Sequence, residues 1–252
     1  MANYENQPRY GGAVASGADT AVDAGLRAHM IRVYNYMTIG LVLTGIFAYG
    51  TFSLSFTEVG GQLAYTQLGQ TLFGGPLMWV IVLAPLALVF FLSFRIQTLS
   101  VAAAQLTFWI YAALLGVSLS VIFAVYTTAS ITQVFFIAAA TFGTVSLWGY
   151  TTKRDLTSWG SFLFMGLIGV VLASIVNIFL GSGALGFAIS IIGVLVFTGL
   201  TAYDTQKIKE MYYVGDDGTV AGRKAIMGAL SLYLDFINLF LMLLRLFGQN
   251  RS

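Results

Sequence analysis

Seven long apolar stretches dominate this sequence, and six of them contain no Asp, Glu, Lys or Arg. A helix needs about 20 mostly apolar residues to cross the hydrocarbon core of a bilayer, and these stretches have that length. They run approximately over Val33–Leu54, Leu77–Phe94, Leu106–Tyr126, Ile131–Tyr150, Trp159–Leu180, Leu185–Tyr203 and Ile226–Phe247. Strands of a membrane β-barrel would instead span about ten residues with alternating polarity. The pattern predicts an all-α integral membrane protein, a bundle of seven transmembrane helices.

The composition supports the same class, because 58% of the residues are apolar and only 9% are charged. Soluble domains carry roughly a quarter of their residues as charged side chains, so the bilayer is the expected surrounding of this chain. The net charge of +2 is small and scattered, whereas nucleic-acid binding needs clustered Lys and Arg. The absence of cysteine excludes disulfides, thiolate metal sites and cysteine nucleophiles.

The N-terminal segment differs from the spans that follow it. It contains Gly11, Gly12, Ser16 and Gly17, and its apolar residues follow no regular period. Such a segment buries too little apolar surface to offset the entropy of ordering it. We therefore predict a disordered cytoplasmic tail over residues 1–25 and a seven-helix transmembrane domain over residues 26–252.

The basic residues predict the orientation, because cytoplasmic connections are enriched in Lys and Arg. Ten of the twelve lie before span 1 or close to the connections after spans 2, 4 and 6. These ten are Arg9, Arg27, Arg32, Arg95, Lys153, Arg154, Lys207, Lys209, Arg223 and Lys224. The connections after spans 1, 3 and 5 contain none, so the N-terminus is predicted to be cytoplasmic and, with seven full spans, the C-terminus external. Arg245 and Arg251 then lie on the unfavoured side, which leaves open a re-entrant last segment that returns the C-terminus to the cytoplasm.

Three ionisable residues lie in or at the ends of the spans. An ionisable side chain at the centre of a spanning helix costs at least about 2.5 kcal/mol, so each is a candidate functional residue. Arg95 ends span 2 and can simply extend its side chain to the lipid headgroups. Asp204 lies towards the cytoplasmic end of span 6 and can pair with Lys207, one helical turn further on. Asp235 lies too deep in span 7 for its short side chain to reach water.

Polar residues accompany both aspartates at helical spacing. On span 7 they are Gly228, Ser231, Asp235 and Asn238, and on span 6 they are Thr198, Thr201 and Asp204. Intervals of three and four place such residues on one face of a helix. The two faces either line a water-filled cavity or form hydrogen bonds between helices without transport. We favour cavity lining, because interhelical hydrogen bonding alone does not require two carboxylates.

Two carboxylates on neighbouring helices can bind a hard cation, share a proton, or activate water as in an aspartyl protease. The protease alternative is disfavoured because Asp235 follows Leu232-Tyr233-Leu234 instead of the Gly-x-Gly that precedes the second aspartate of intramembrane aspartyl proteases. Their downstream Pro-Ala-Leu is also missing. The single histidine, His29, precedes span 1, and no lysine lies within a span to form a Schiff base. We therefore predict that the protein is not an enzyme.

Three segments of the sequence carry a family resemblance. Span 7 contains Ala229-Leu230-Ser231-Leu232-Tyr233-Leu234-Asp235-Phe236-Ile237-Asn238-Leu239-Phe240, followed by Leu244-Arg245. Span 6 ends in Tyr203-Asp204-Thr205-Gln206-Lys207-Ile208, and Lys153-Arg154-Asp155-Leu156 precedes span 5. These segments resemble the signature of the Bax inhibitor-1 family, also called the transmembrane BAX inhibitor motif family, in its bacterial members. The resemblance covers about Arg27 to Phe247.

The resemblance implies a seven-helix bundle with the C-terminal helix central, located in a bacterial inner membrane. It also implies a pH-sensitive calcium leak channel gated by an aspartate pair, for which Asp204 and Asp235 occupy the matching positions. The same two carboxylates are the possible calcium ligands, and no cofactor is implied. In bacterial relatives an arginine at the end of the second helix latches the first aspartate, and Arg95 is the candidate here. Some relatives carry a carboxylate within that helix, whereas span 2 contains none.

A second function is also implied, because another relative is associated with a membrane-anchored ATP-dependent protease as its substrate and inhibitor. The alternative to a channel is therefore a non-transporting membrane regulator that binds such a protease or a stress-response partner. A flexible tail such as residues 1–23 is suited to capture by a partner.

The aspartate pair suggests a switch on physical grounds as well. Two carboxylates within hydrogen-bonding reach in a low-dielectric site do not both ionise cheaply, so they share a proton, and that proton locks spans 6 and 7 together. Loss of the proton leaves two negative charges, which either repel each other and open the path or capture a divalent cation. The sign of the overall pH response stays open, because ionisation favours both cation binding and the latch to Arg95.

Overall fold

A computed structural model describes the backbone of residues 11–251 and the side chains of residues 24–251. The helices and strands follow one another in the order α1 (Gly11–Ser55), β1 (Phe56–Val59), β2 (Gln62–Tyr65), α2 (Gln67–Phe73), α3 (Leu77–Arg95), α4 (Val101–Leu119), α5 (Ile122–Val125), α6 (Thr128–Thr151), α7 (Thr157–Leu180), α8 (Gly183–Glu210) and α9 (Gly218–Phe247). Strands β1 and β2 form one antiparallel hairpin.

Seven helical segments of the described chain are long and apolar enough to cross a bilayer. Six of them are α1, α3, α6, α7, α8 and α9, and the third span is α4 with the short helix α5. The structure therefore confirms an all-α, multi-span membrane protein with seven apolar helices. The hairpin β1–β2 lies in the connection after span 1, which the sequence analysis did not resolve into strands.

Polar caps determine where several helices begin. The carboxylate of Asp217 accepts hydrogen bonds from the backbone amides of Thr219 and Val220, both at 2.8 Å, and so starts α9 at Gly218. The predicted span began at Ile226, because hydropathy detects the lipid-immersed part of a helix and misses its polar first turns. Helix α7 ends at a C-terminal cap, Gly181, which adopts φ +60°, a left-handed conformation that glycine takes without strain.

Helix α1 extends into the segment predicted as a disordered tail, since it begins at Gly11. Alanines at positions 13, 15, 18, 21 and 24 favour helix over this segment and offset its glycines. The part of the predicted tail before Gly11 lies outside the described residues. The side chains of residues 1–23, the segment predicted to be suited to capture by a partner, also lie outside the described part of the chain.

The ends of the helices define two opposite faces of the bundle. On one face, Arg223 Nε donates to the carbonyl oxygen of Leu99 at 2.7 Å, which ties the start of α9 to the α3–α4 connection. On the same face Lys209 Nζ donates to the carbonyl oxygen of Tyr150 at 2.9 Å. Seven of the ten basic residues predicted to share a side lie in the end turns or connections of this face: Arg95, Lys153, Arg154, Lys207, Lys209, Arg223 and Lys224. Arg27 and Arg32 lie within α1, and Arg9 is not described. We call this side of the bundle the basic face.

The chain ends on the opposite face. The amide of Thr127 donates to the carbonyl oxygen of Gln249 at 3.0 Å, and the amide of Arg251 donates to that of Val125 at 2.8 Å. These bonds tie the segment after α9 to the connection between α5 and α6. Helix α9 therefore runs from one face to the other as a full span, and the re-entrant alternative does not describe this structure.

Helix α9 is the most buried of the seven spans. It packs against α1, α4, α6 and α8. In its most apolar stretch 72% of the residues are buried, against 11% to 33% in the other six spans. Helix α7 lies at the periphery and packs mainly against α8. Together α7, α8 and α9 enclose the space in which both intramembrane aspartates lie.

Candidate functional site

A cavity of about 510 Å³ lies between α7, α8 and α9. Both aspartates line it, together with Ser231 and Asn238 of α9 and Lys207 of α8. The remaining lining residues are Gly160, Ser161, Phe164, Leu167, Phe197, Leu200, Tyr203 and Leu234. We call this space the dyad cavity. Of the residues that the sequence predicts for this site on span 7, Ser231, Asp235 and Asn238 line the cavity together with Asp204, whereas Gly228 packs against Ile208.

The carboxyl groups of Asp204 and Asp235 lie within hydrogen-bonding reach of each other. Asp235 is only 5% exposed, and among the described residues its Oδ2 has no hydrogen-bond donor. It lies roughly 25 Å from the start of α9 and roughly 18 Å from its end, so the side chain is far from both faces. A proton held between the two carboxyl groups is the simplest donor for this buried oxygen.

Asp204 forms the more accessible half of the pair. It is half-buried and lies six residues before the end of α8, on the side of the basic face. The exposed Lys207 lies one turn further along the same helix and its charge acts on Asp204. The predicted local partner of Asp204 is thus present in the cavity.

The two threonines predicted beside Asp204 lie elsewhere. Thr198 lines a separate cavity with Trp148 and Leu163. Thr201 is fully buried and donates to the carbonyl oxygen of Phe197 at 2.8 Å, within its own helix. Residues at intervals of three and four share a broad face, but α8 contacts α6, α7 and α9, so different parts of that face meet different neighbours.

Arg95 does not reach Asp204 in this structure. Its side chain is exposed, and its helix α3 packs against α2 and α4. Among the described side chains one salt bridge is found, and it joins Lys224 Nζ to Asp216 Oδ2 at 2.6 Å. The predicted latch requires α3 (span 2) and α8 (span 6) to be neighbours. In the structure α3 packs against α4, α4 packs against α9, and α9 packs against α8, so two helices separate them. The cation beside Asp204 is Lys207.

Gln206, two residues after Asp204, has a role that the sequence does not predict. Its Oε1 accepts from the amide of Leu156 and its Nε2 donates to the carbonyl oxygen of Arg154, both at 2.8 Å. Gln206 thus holds the connection between α6 and α7. Both segments belong to the family signature, but the contact between them forms only in the folded protein.

A chain of hydroxyl groups crosses the bundle close to the pair, and the sequence analysis missed it as well. Thr205 bonds Ser146 of α6 at 2.8 Å, and Ser146 bonds Tyr34 of α1 at 2.6 Å. Thr205 directly follows Asp204, so this chain fixes the rotation of α8 against α6 and α1. It thereby keeps the carboxyl group of Asp204 turned towards α9.

The chemistry of the dyad cavity is that of oxygen ligands and protons. Two carboxylates, the Ser231 hydroxyl and the Asn238 amide are the groups a hard cation binds. The described residues contain no group of three or more His, Cys, Asp or Glu arranged to hold a metal ion. A cation here would keep part of its water shell.

Comparison with known proteins gives consistent matches over nearly the whole chain. The family model described as "Inhibitor of apoptosis-promoting Bax1" matches residues 26–252. An uncharacterised protein of Rickettsia prowazekii is 50% identical over 232 residues, covering 91% of this chain and 93% of that protein. The inner membrane protein YbhL of Escherichia coli K12 is 50% identical over 231 residues, covering 90% of this chain and 94% of YbhL.

A third relative, from Caulobacter vibrioides, is 47% identical over 245 residues, covering 94% of this chain and 95% of that protein. The family match begins at residue 26, where the predicted tail ends, and includes all seven spans. It also contains the three signature segments, two of which meet where Gln206 contacts the α6–α7 connection. With seven apolar helices and a match over residues 26–252, this multi-pass membrane protein belongs to the Bax inhibitor-1 family.

Proposed function

We propose that the protein is a pH-sensitive cation leak of the bacterial inner membrane, with calcium as the preferred ion, gated by the Asp204–Asp235 pair. The observation that carries this proposal is that two carboxyl groups on different helices approach each other in one intramembrane cavity. A charged group in such a position is costly, and a proton shared by the pair reduces that cost. The name of the relative YbhL supports the inner-membrane location.

In the protonated state the pair closes the bundle. One proton satisfies the otherwise unpaired Oδ2 of Asp235 and joins α8 to α9 without placing a full pair of charges in the protein interior. The two helices are already the most extensively packed neighbours in the bundle. The protonated pair therefore adds a directional bond to an apolar interface.

In the ionised state the pair attracts cations. Two adjacent negative charges repel each other and form an oxygen site that a divalent cation neutralises better than a monovalent one. Ser231 and Asn238 supply further oxygen atoms on the same wall of the dyad cavity. We therefore assign calcium, with part of its hydration shell, as the preferred ion.

Lys207 modulates this equilibrium. Its ammonium group lines the same cavity as the pair, and a nearby cation favours the ionised form of a carboxylate. The proposal gives Lys207 the role that the sequence analysis gave to Arg95, because Lys207 lies beside Asp204 and Arg95 does not. Lys207 competes with calcium for the carboxylates and limits the leak when calcium is scarce.

Reconstitution in liposomes that contain a calcium indicator tests the proposal. We expect wild-type protein to admit calcium faster than empty vesicles, with a rate that changes between about pH 5 and pH 8. Asp235→Asn should abolish that pH dependence, because an amide cannot take part in the proton exchange. Asp155→Asn is the matched control, since Asp155 is an exposed aspartate of the basic face outside the dyad cavity.

Calcium entry no faster than in empty vesicles at every pH, for wild type and for Asp235→Asn alike, would contradict the proposal. A pH dependence that Asp235→Asn leaves intact would contradict the assignment of the switch to this pair.

A further inference from the structure

A second cavity lies on the opposite side of the bundle from the basic face, between the same three helices. It has a volume of about 620 Å³ and is lined by Asn177 and Ser174 of α7, Ser190 of α8 and Arg245 of α9. We call it the outer cavity. Like the dyad cavity it has polar side chains in its wall, so water can occupy it.

The dyad cavity and the outer cavity are separated by the same interval on each helix. The nearest lining residues are Leu167 and Ser174 on α7, Phe197 and Ser190 on α8, and Asn238 and Arg245 on α9. Each interval is seven residues, which corresponds to about 10 Å along a helix. The two cavities are therefore end to end along one line through the bundle.

Every residue inside these three intervals is apolar. The intervals comprise Ile168, Gly169, Val170, Val171, Leu172 and Ala173 of α7, Ile191, Ile192, Gly193, Val194, Leu195 and Val196 of α8, and Leu239, Phe240, Leu241, Met242, Leu243 and Leu244 of α9. We call this zone the apolar layer. Val170 and Val196 are buried within it, at 5% and 8% exposure.

Met242 makes a close contact between α8 and α9 within the apolar layer. A Cβ atom placed on Gly193 would lie 2.8 Å from both Cγ and Sδ of Met242, so the methionine packs directly on the backbone of α8. Met242 is 8% exposed, and the absence of a side chain at position 193 provides the space for it. Met242 also lies one turn beyond Asn238 on α9, directly past the inner end of the dyad cavity.

We propose that the apolar layer, centred on Met242 against Gly193, is a second closure in series with the aspartate pair and prevents water and ions from passing between the two cavities. This inference rests on the cation leak proposed above. A cation that crosses about 10 Å of apolar side chains must lose its hydration without compensating ligands. Hydrophobic constrictions close ion paths by excluding water. Ionisation of the pair prepares the cation site, and conduction also requires Met242 to leave the contact with Gly193.

The natural absence of cysteine allows a direct test by thiol labelling. Ser231→Cys places a thiol in the dyad cavity, and Ser174→Cys places one in the outer cavity. A membrane-impermeant maleimide is applied to the outer surface of spheroplasts or to inverted membrane vesicles. With Met242 intact, we expect Ser231→Cys to react only from the basic face and Ser174→Cys only from the opposite face.

Shortening the side chain of Met242 should allow labelling from both faces. In the Met242→Ala background, Ser231→Cys should also react from the opposite face, with a rise of about tenfold or more in labelling rate. Met242→Gln should act in the same direction, because it keeps the side-chain length and admits water through its amide. The Gln variant keeps the test decisive if Met242→Ala fails to fold. Met227→Ala, the same substitution on the same helix outside the apolar layer, is the control and should change nothing.

Reaction of Ser231→Cys from both faces with Met242 intact would overturn the proposal. So would one-sided labelling that persists in both Met242 variants. The labelling uses no calcium, so it separates the two proposals. If the labelling is as expected but no calcium enters the liposomes, the proposed cation leak is contradicted and the proposed barrier is still supported. If calcium enters but neither Met242 variant changes the labelling of Ser231→Cys, only the proposed barrier is contradicted.

Discussion

The side-chain oxygen of Gln206 accepts a hydrogen bond from the backbone amide of Leu156 at 2.8 Å, while its amide nitrogen donates to Arg154 on the other side of Asp155. The glutamine is 8% exposed and follows Asp204 by two residues on α8. One side chain therefore ties the helix that carries the first aspartate to the connection that starts α7. Two walls of the dyad cavity are held in register by this contact.

Gln206→Leu should lower the free energy of unfolding by about 1–3 kcal/mol, because two buried backbone groups lose their partners. Gln206→Glu keeps the acceptor for Leu156 and loses only the donor to Arg154. Its effect on the free energy of unfolding should therefore differ from that of Gln206→Leu and depend on pH. Thermal unfolding in detergent measures both. A Leu variant as stable as wild type would show that water replaces the glutamine without cost.

Tyr233→Phe tests the contact that joins α9 to α1. The Tyr233 hydroxyl lies 2.5 Å from that of Thr44, which itself donates towards the carbonyl oxygens of Gly40 and Ala112 at 3.0 and 2.9 Å. Tyr233 is therefore the donor, and its removal should cost about 1 kcal/mol of stability. The exposed Tyr213, changed to Phe, is the control and should leave the unfolding temperature unchanged. Equal effects of the two variants would contradict a specific role for this bond.

Lys207→Ala and Arg95→Ala distinguish the two candidate partners of Asp204. Without the ammonium group, the ionised aspartate loses a favourable charge, so the pH midpoint of calcium entry should move to higher pH. Arg95 is exposed on α3, away from the cavity, and its removal should leave the midpoint in place. Calcium entry into liposomes across a pH series measures both. A shift with Arg95→Ala alone would restore the predicted latch.

Gly149→Ala and Gly143→Ala form a matched pair on α6. A Cβ on Gly149 would lie 2.5 Å from the carbonyl oxygen of Ala202 on α8, whereas a Cβ on Gly143 would meet nothing within 4 Å. Alanine is the better helix former by about 1 kcal/mol, so Gly143→Ala should be neutral or stabilising. Gly149→Ala should force α6 and α8 apart and destabilise the protein. Unfolding temperatures in the same detergent give the comparison, and the opposite order would contradict the close packing of these two helices.

A reporter fused after the last residue should be external if the basic face is cytoplasmic. The segment after α9 is bonded to the α5–α6 connection on the face opposite to the basic residues. Alkaline phosphatase fused there should be active, and green fluorescent protein should be dark. The reverse pattern would mean that the basic face is external and would contradict the predicted orientation.

The sequence was sufficient for features that depend on local composition. Hydropathy is a property of consecutive residues, so all seven spans were predicted, and Asp235 was identified because a carboxylate interrupts an apolar run. The contacts of Thr201 and Arg95 depend on which helices are neighbours, and side-chain shape across the whole bundle determines that arrangement. Gly193 looked like any other glycine of a membrane helix until Met242 was placed against it. The role of Gln206 likewise exists only once α8 and the α6–α7 connection meet.

The burial of α9 has a consequence for biosynthesis. It follows the other six spans in the sequence, yet it packs against α1, α4, α6 and α8. Helices enter a membrane as independent units and then associate, so the first six spans form an incomplete assembly until α9 has been made. During that interval α1 and α8 lack the helix that both of them pack against. Assembly of the bundle therefore requires α9, and a protein truncated before Gly218 would leave α1, α4, α6 and α8 without their common partner.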